Sequence, residues 1–186
     1  MTGLWLLPEA AELGGESYPF RADFRDVLQV IACLDDPDLP ECSRWLVALN
    51  LFYKTTVPRI HRQAAMEYLA RFLTCGEPEE RAGARLLDWQ QDAGAIISGV
   101  NHVAGQEVRA LPFVHWWTFL SWFHSMPPGQ LSTVVSIRDK LSRGKKLEDW
   151  EKDFYRQNKA RIEIKPRLSR QEEAERQRLK QMLNGN

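Results

Sequence analysis

Apolar residues recur with a helical period along most of this chain. Asp23 stands as an N-cap ahead of Phe24, Val27, Leu28 and Ile31, which fall at i, i+3, i+4 and i+7. Asp35, Asp36 and Pro37 end that helix. Pro40 is placed in the first turn of a second one, with a stripe of Trp45, Ala48, Leu49 and Phe52. Thr55, Thr56 and Pro58 announce a third, with Ala65, Tyr68, Leu69 and Phe72 on one face, and Gly76 and Pro78 stop it. Trp89, Ala93, Ile96, Ile97 and Val100 mark a fourth, ending near Gly105. Leu131, Val134, Val135 and Leu141 mark a sixth, and Leu147, Trp150, Phe154 and Tyr155 a seventh that Pro166 closes.

The fifth helix has another character. From Pro112 onward, Phe113, Val114, Trp116, Trp117, Phe119, Leu120, Trp122 and Phe123 leave almost no polar face before Pro127, Pro128 and Gly129 break the chain. A helix apolar all round belongs inside a core or a large interface. Each tryptophan there can bury about 200 Å², worth at most about 5 kcal/mol.

The two ends depart from the period. Around Gly14 and Gly15 the apolar pieces Leu4–Leu7 and Tyr18–Phe20 fit a small hairpin or an extended arm. After Pro166, Ser169 and Glu172 form a capping box. The helix beyond it is charged nearly all round, with only Leu179, Met182 and Leu183 apolar near its end, so it cannot bury enough surface to stand alone. The expected fold is all-α: a single domain of about seven helices over residues 21–165, an arm or hairpin over 1–20, and a charged helix or tail over 166–186.

Composition is consistent with this. The 186 residues, 44% hydrophobic and 27% charged, form an ordinary globular mix, long enough to bury a core without staples. No apolar run reaches the roughly 20 residues that span a bilayer. The start, Met1 to Pro8, has no basic region and is cut short by Pro8, so a cytoplasmic location is expected and a membrane is not. Cys33, Cys42 and Cys75 lack metal or disulfide spacing and read as buried thiols. Net charge is zero but uneven: residues 1–137 hold 10 Lys/Arg against 16 Asp/Glu, a balance of −6, and residues 138–186 hold 15 against 9, a balance of +6. Opposite halves can attract within one chain or between copies.

Candidate chemistry is sparse. Asp88 and Asp92 share a helical face, and with His102 they suggest a metal site; carboxylates in solvent or paired with arginine are the competing reading. His115, in the sequence His-Trp-Trp, reads as a hydrogen-bonded core residue. There is no nucleophile elbow and no phosphate loop. No cofactor, metal or enzymatic activity is expected. Basic residues cluster at Arg143, Lys145 and Lys146 and again at Arg161, Lys165, Arg167 and Arg170, but acidic residues interleave, which favours a protein partner over nucleic acid.

Several local patterns then converge. Leu7-Pro8, Gly15, Tyr18-Pro19-Phe20 and Asp23-Phe24-Arg25 come first. Leu87-Asp88-Trp89, Asp92-Ala93, Ile96 and Ile97 follow, then His115-Trp116-Trp117 with Phe119, and Ile137-Arg138. In this order the chain resembles the small helical bacteriophage proteins encoded between the major tail protein and the tape measure protein of long-tailed phages and Gram-positive prophages. The segment Gly105-Gln106-Glu107-Val108 departs from the family pattern, and the tail after Pro166 lies outside it.

The resemblance implies a tail assembly chaperone. It would bind the tape measure protein, with the major tail protein as a further partner, in the host cytoplasm, and be absent from the mature virion. Self-association is expected. The signature residues Asp23, Phe24, Arg25, Asp88, Trp89, Asp92, His115, Trp116, Trp117, Phe119 and Arg138 would be structural. Partner binding would fall to Arg161, Lys165, Arg167, Arg170, Leu179, Met182 and Leu183. The alternative is a helical adaptor or nucleic-acid-binding protein acting through the basic C-terminal region.

Overall fold

The computed structural model describes residues 6–76 and 83–184, the last two by their backbone alone. With 60% of the chain helical and, among the described residues, one two-stranded ribbon, the all-α fold with a short N-terminal hairpin holds. The chain packs as two compact units. One, here the N-terminal unit, comprises residues 8–72 and 166–186; the other, the central unit, comprises residues 73–165 with 1–7.

The N-terminal unit opens with β1 (Ala10–Leu13) and β2 (Glu16–Pro19), antiparallel, with Leu13 opposite Glu16. Gly14 and Gly15 turn between them at φ 62° and 87°, the positive values a two-residue hairpin demands. Gly14 is required a second time, because a Cβ there would lie 2.2 Å from Cε1 of His61. The first strand is 10–13, and Leu6 and Leu7 of the apolar piece at 4–7 lie outside it. Alternation explains this: Ala11 and Leu13 point inward while Glu12 points out. Leu6 and Leu7 are 67% and 52% exposed, and Leu4 and Trp5 fall outside the described residues.

Helices α1 (Phe24–Leu34), α2 (Glu41–Phe52) and α3 (Arg62–Leu73, entered through a 3₁₀ turn at Arg59–His61) cover the hairpin. Pro40 caps α2 from just outside its first turn. The core is aromatic: Phe20 stacks on Phe52 at 4.5 Å between centroids and meets Phe72 edge-on at 4.9 Å. Arg21 closes α2, its Nη1 donating to the carbonyls of Leu51 (2.9 Å) and Tyr53 (2.8 Å), which have no helical partner of their own. Cys42 is exposed, against the expectation of a buried thiol, because it sits on the outer face of the first turn of α2; Cys33 and Cys75 are half-buried. A last helix, α8 (Arg170–Asn184), belongs to this unit.

The central unit holds α4 (Ala93–Ala104), α5 (Trp116–His124), α6 (Gln130–Ser142) and α7 (Asp149–Ile162). Pro112 does not open α5. A 3₁₀ turn at Val108–Ala110 precedes the proline, and α5 begins only after it, where Nδ1 of His115 accepts the Trp117 amide at 3.1 Å. The N-cap side chain, not the proline, sets the start. Nor is α5 buried all round. Trp116, Phe119 and Leu120 are buried, Trp117, Trp122 and Phe123 are half-buried, and Phe113, ahead of the helix, is 53% exposed.

Candidate functional site

Two carboxylates and a guanidinium organise the central unit. Asp92, at the N-terminus of α4, receives a two-pronged contact from Arg138 on α6, Nη1 to Oδ2 at 2.6 Å and Nη2 to Oδ1 at 3.0 Å. Their side chains are only 2% and 4% exposed. The other guanidinium hydrogens go to backbone carbonyls: Nε to Ile162 (2.7 Å), Nη2 to Arg161 (2.7 Å) and Nη1 to Leu86 (2.9 Å). All five N–H donors of the side chain are thus used. Asp92 also accepts the Asp88 amide at 2.9 Å, and Asp88 accepts the amides of Gln90 and Gln91 and pairs with Arg85.

The same bonds finish α7. Its last carbonyls lack intrahelical donors, and two side chains supply them. Arg138 takes Arg161 and Ile162, while Nε2 of Gln91 reaches the carbonyls of Arg161 (3.1 Å) and Glu163 (2.9 Å) and Oε1 of Gln91 accepts the Lys165 amide (3.1 Å). At the other end of α7, the buried Glu151 holds Nζ of Lys140 at 2.7 Å and accepts the Glu148 amide at 2.9 Å. The Lys140 ammonium first, and then that amide, keep the Glu151 carboxyl below the usual carboxylate range.

These contacts leave Asp88 and Asp92 engaged with arginines. His102 is exposed, and among the described residues no cluster of three or more His, Cys, Asp or Glu side chains is arranged to hold a metal. No helix among them is long and apolar enough to cross a membrane.

The remaining signature residues divide between the units. Asp23 caps α1 through the Arg25 amide (3.0 Å) and clasps Nε of Arg25 (2.7 Å), which lies over the Phe24 ring. In the central unit Trp116 stacks on Phe119, meets Trp89 at 5.6 Å between centroids, and donates Nε1–H to the Leu73 carbonyl at 3.1 Å. The residues assigned to partners also divide between the units. Arg161 and Lys165 are exposed beside Gln91. Arg167 pairs with Asp35, and Arg170 meets Asp38 through its amide (2.7 Å) and Nε (3.4 Å). Leu179 and Met182 are exposed on α8, and the Leu183 side chain lies outside the described residues.

The central unit also holds an open groove whose α4 side was not singled out from sequence. The groove, of about 800 Å³, runs between α4 and α6. Gly94, Ala95, Ser98 and Gly99 of α4 line one side; Leu131, Val134 and Val135 of α6 line the other; Phe123, Met126 and Pro127 close one end. Gln91, His102, Gln130 and Arg161 give it a polar rim. A Cβ added at Gly94 would meet nothing within 4 Å, whereas at Gly99 it would lie 2.2 Å from Sδ of Met126. The available signal was the pairing of small residues four apart, Gly94 with Ser98 and Ala95 with Gly99, on one helical face.

No curated protein and no solved structure matches the chain. One family model does, described as Bacteriophage Gp15 protein, over residues 5–164. That span contains the Arg138 network and the groove and stops short of α8, and on its strength the chain belongs to this bacteriophage family.

Proposed function

We propose that this chain is a tail assembly chaperone. It is not an enzyme. It binds the tape measure protein in the host cytoplasm, keeps it soluble while the major tail protein polymerises around it, and leaves before the tail matures. The family is one of phage structure and morphogenesis, which supports the setting. The groove of the central unit is the observation that carries the reading. A chaperone of a long helical client needs a reversible seat for an amphipathic helix. Small residues on α4 let a client backbone come close, Leu131 and Val135 offer apolar contact, and the polar rim keeps the contact wettable and so releasable.

The test is co-expression with the tape measure protein of the same phage, read by size-exclusion chromatography with light scattering. A soluble complex with several copies of this chain is expected. A Cβ at Gly94 meets nothing within 4 Å, so Gly94→Leu puts a side chain into the groove and should abolish the complex while the chain still folds, which a thermal melt checks. If the tape measure protein precipitates equally alone and in this chain's company, the chaperone reading fails. If Gly94→Leu still forms the complex, the chaperone role stands and the groove is not its seat.

A further inference from the structure

We propose that the groove between α4 and α6 selects an amphipathic helix whose apolar stripe is flanked by acidic residues, and that Arg161 is the residue that reads them. This rests on the reading of the groove as a helix seat and adds the chemistry of the occupant. The ionisable side chains along the groove are Asp92, His102 and Arg161. Asp92 is already engaged, its buried carboxylate held by both Nη atoms of Arg138. His102 carries no negative charge in either protonation state. Arg161 is exposed and forms no ion pair among the described residues. No accessible carboxylate among the lining residues therefore answers a basic flank, whereas an accessible guanidinium answers an acidic one.

The backbone fixes where that charge sits. The Arg161 carbonyl accepts from Nη2 of Arg138 at 2.7 Å and from Nε2 of Gln91 at 3.1 Å, while its side chain is left to solvent. Arg138 also holds Asp92, the residue ahead of α4, so Arg161 marks the end of the groove where α4 begins. The positive end of the α4 dipole adds the same sign there. From Asp92 to His102 the lined stretch of α4 runs about 15 Å, or about three turns of a facing helix. Leu131, Val134 and Val135 form the opposite wall. Beside apolar walls a charge pair is screened less than in open water, so sign at this end matters more than at a free surface. A glutamate or aspartate on the flank of the bound helix pairs with Arg161; a lysine or arginine there is repelled.

The experiment is fluorescence anisotropy of the full chain with two labelled synthetic amphipathic helices. They share one leucine stripe and differ only in their flanks, glutamate in one and lysine in the other. At low ionic strength the glutamate helix should bind at least about fivefold tighter, and the difference should shrink in high salt. Arg161→Glu should remove or reverse the preference. Lys146→Glu, the same charge change at an exposed lysine outside the groove, should leave it in place. Gly94→Leu should weaken the binding of both helices. The proposal is overturned if neither helix binds, if the lysine helix binds as tightly as the other, or if Arg161→Glu leaves the preference intact. It is also overturned if Lys146→Glu acts as strongly as Arg161→Glu, or if Gly94→Leu changes neither affinity. Tape measure protein takes no part in this assay, so the two readings fail separately. A glutamate preference beside an insoluble tape measure protein ends the chaperone reading and leaves the selectivity of the groove standing.

Discussion

Replacing Arg138 with alanine removes five hydrogen bonds at once and leaves Asp92 buried with only the Asp88 amide as a donor. Removing one partner of a buried pair costs about 3–5 kcal/mol, because the remaining charge is stranded. Against a total stability of about 5–15 kcal/mol that is a large share. The melting temperature should fall by roughly 6–20 °C for a chain of this size. Arg138→Lys should recover only part of the loss, since an ammonium cannot match the fork on Asp92 and three carbonyls together. Asp92→Leu combined with Arg138→Met should be less damaging than the two single losses added, by at least about 1.5 kcal/mol. Tryptophan fluorescence suits the assay: Trp89, Trp116, Trp117, Trp122 and Trp150 all lie in the central unit. A drop below about 0.5 kcal/mol for Arg138→Ala, within the range of ordinary surface effects, would refute the assignment of this network as the lock of the unit.

The same substitution at two glycines of α4 should have opposite signs. Gly94→Ala meets open space within the helix and should raise stability by about 0.5–1 kcal/mol, whereas Gly105→Ala, at the left-handed C-cap with φ 69°, should lower it by about 1–2 kcal/mol; chemical denaturation measures both. For Glu151 the folded carboxyl titrates below its usual range, so its contribution is present above about pH 4.3 and is lost as pH falls through the folded value. Lys140 is raised, so its contribution holds below about pH 10.4 and fades only above that. Thermal melts across acid pH should therefore show a limb that Glu151→Gln flattens; an unchanged limb would place the acid sensitivity elsewhere.

Much of the helical order was legible because burial writes itself as period. Val27, Ala48, Leu49, Phe52, Ala65, Leu69, Phe72, Ile96 and Val100 are all buried on the faces their spacing implies. Element starts were less legible, since caps decide them. Nothing in the spacing of Pro112 announces that His115 will accept the Trp117 amide. Even the buried ion pair left a trace. Asp92 lies four residues before Ile96 and eight before Val100, and Arg138 lies four after Val134, so each charge falls on an apolar stripe. The partner of each could not be read, because pairing across 46 residues is a property of the packed chain. Gln91 left no trace at all; its role depends on backbone groups of residues 161–165.

The groove and the Arg138 network explain each other. A helix face of Gly94, Ala95, Ser98 and Gly99 gives α4 little apolar surface to set against α6, and the open space between them forfeits dispersion contacts outright. Packing alone would let the two helices close together or drift. Directional bonds can hold them where packing cannot, and Arg138 supplies such bonds from α6 to the first residue ahead of α4 and to the end of α7. Asp92 and Arg161 belong to both features, lining the groove while their carboxylate and carbonyl are gripped. A buried ion pair is a poor way to gain net stability over well-packed apolar residues. It is a good way to keep a space open, because its geometry is fixed by hydrogen-bond direction and not by contact area.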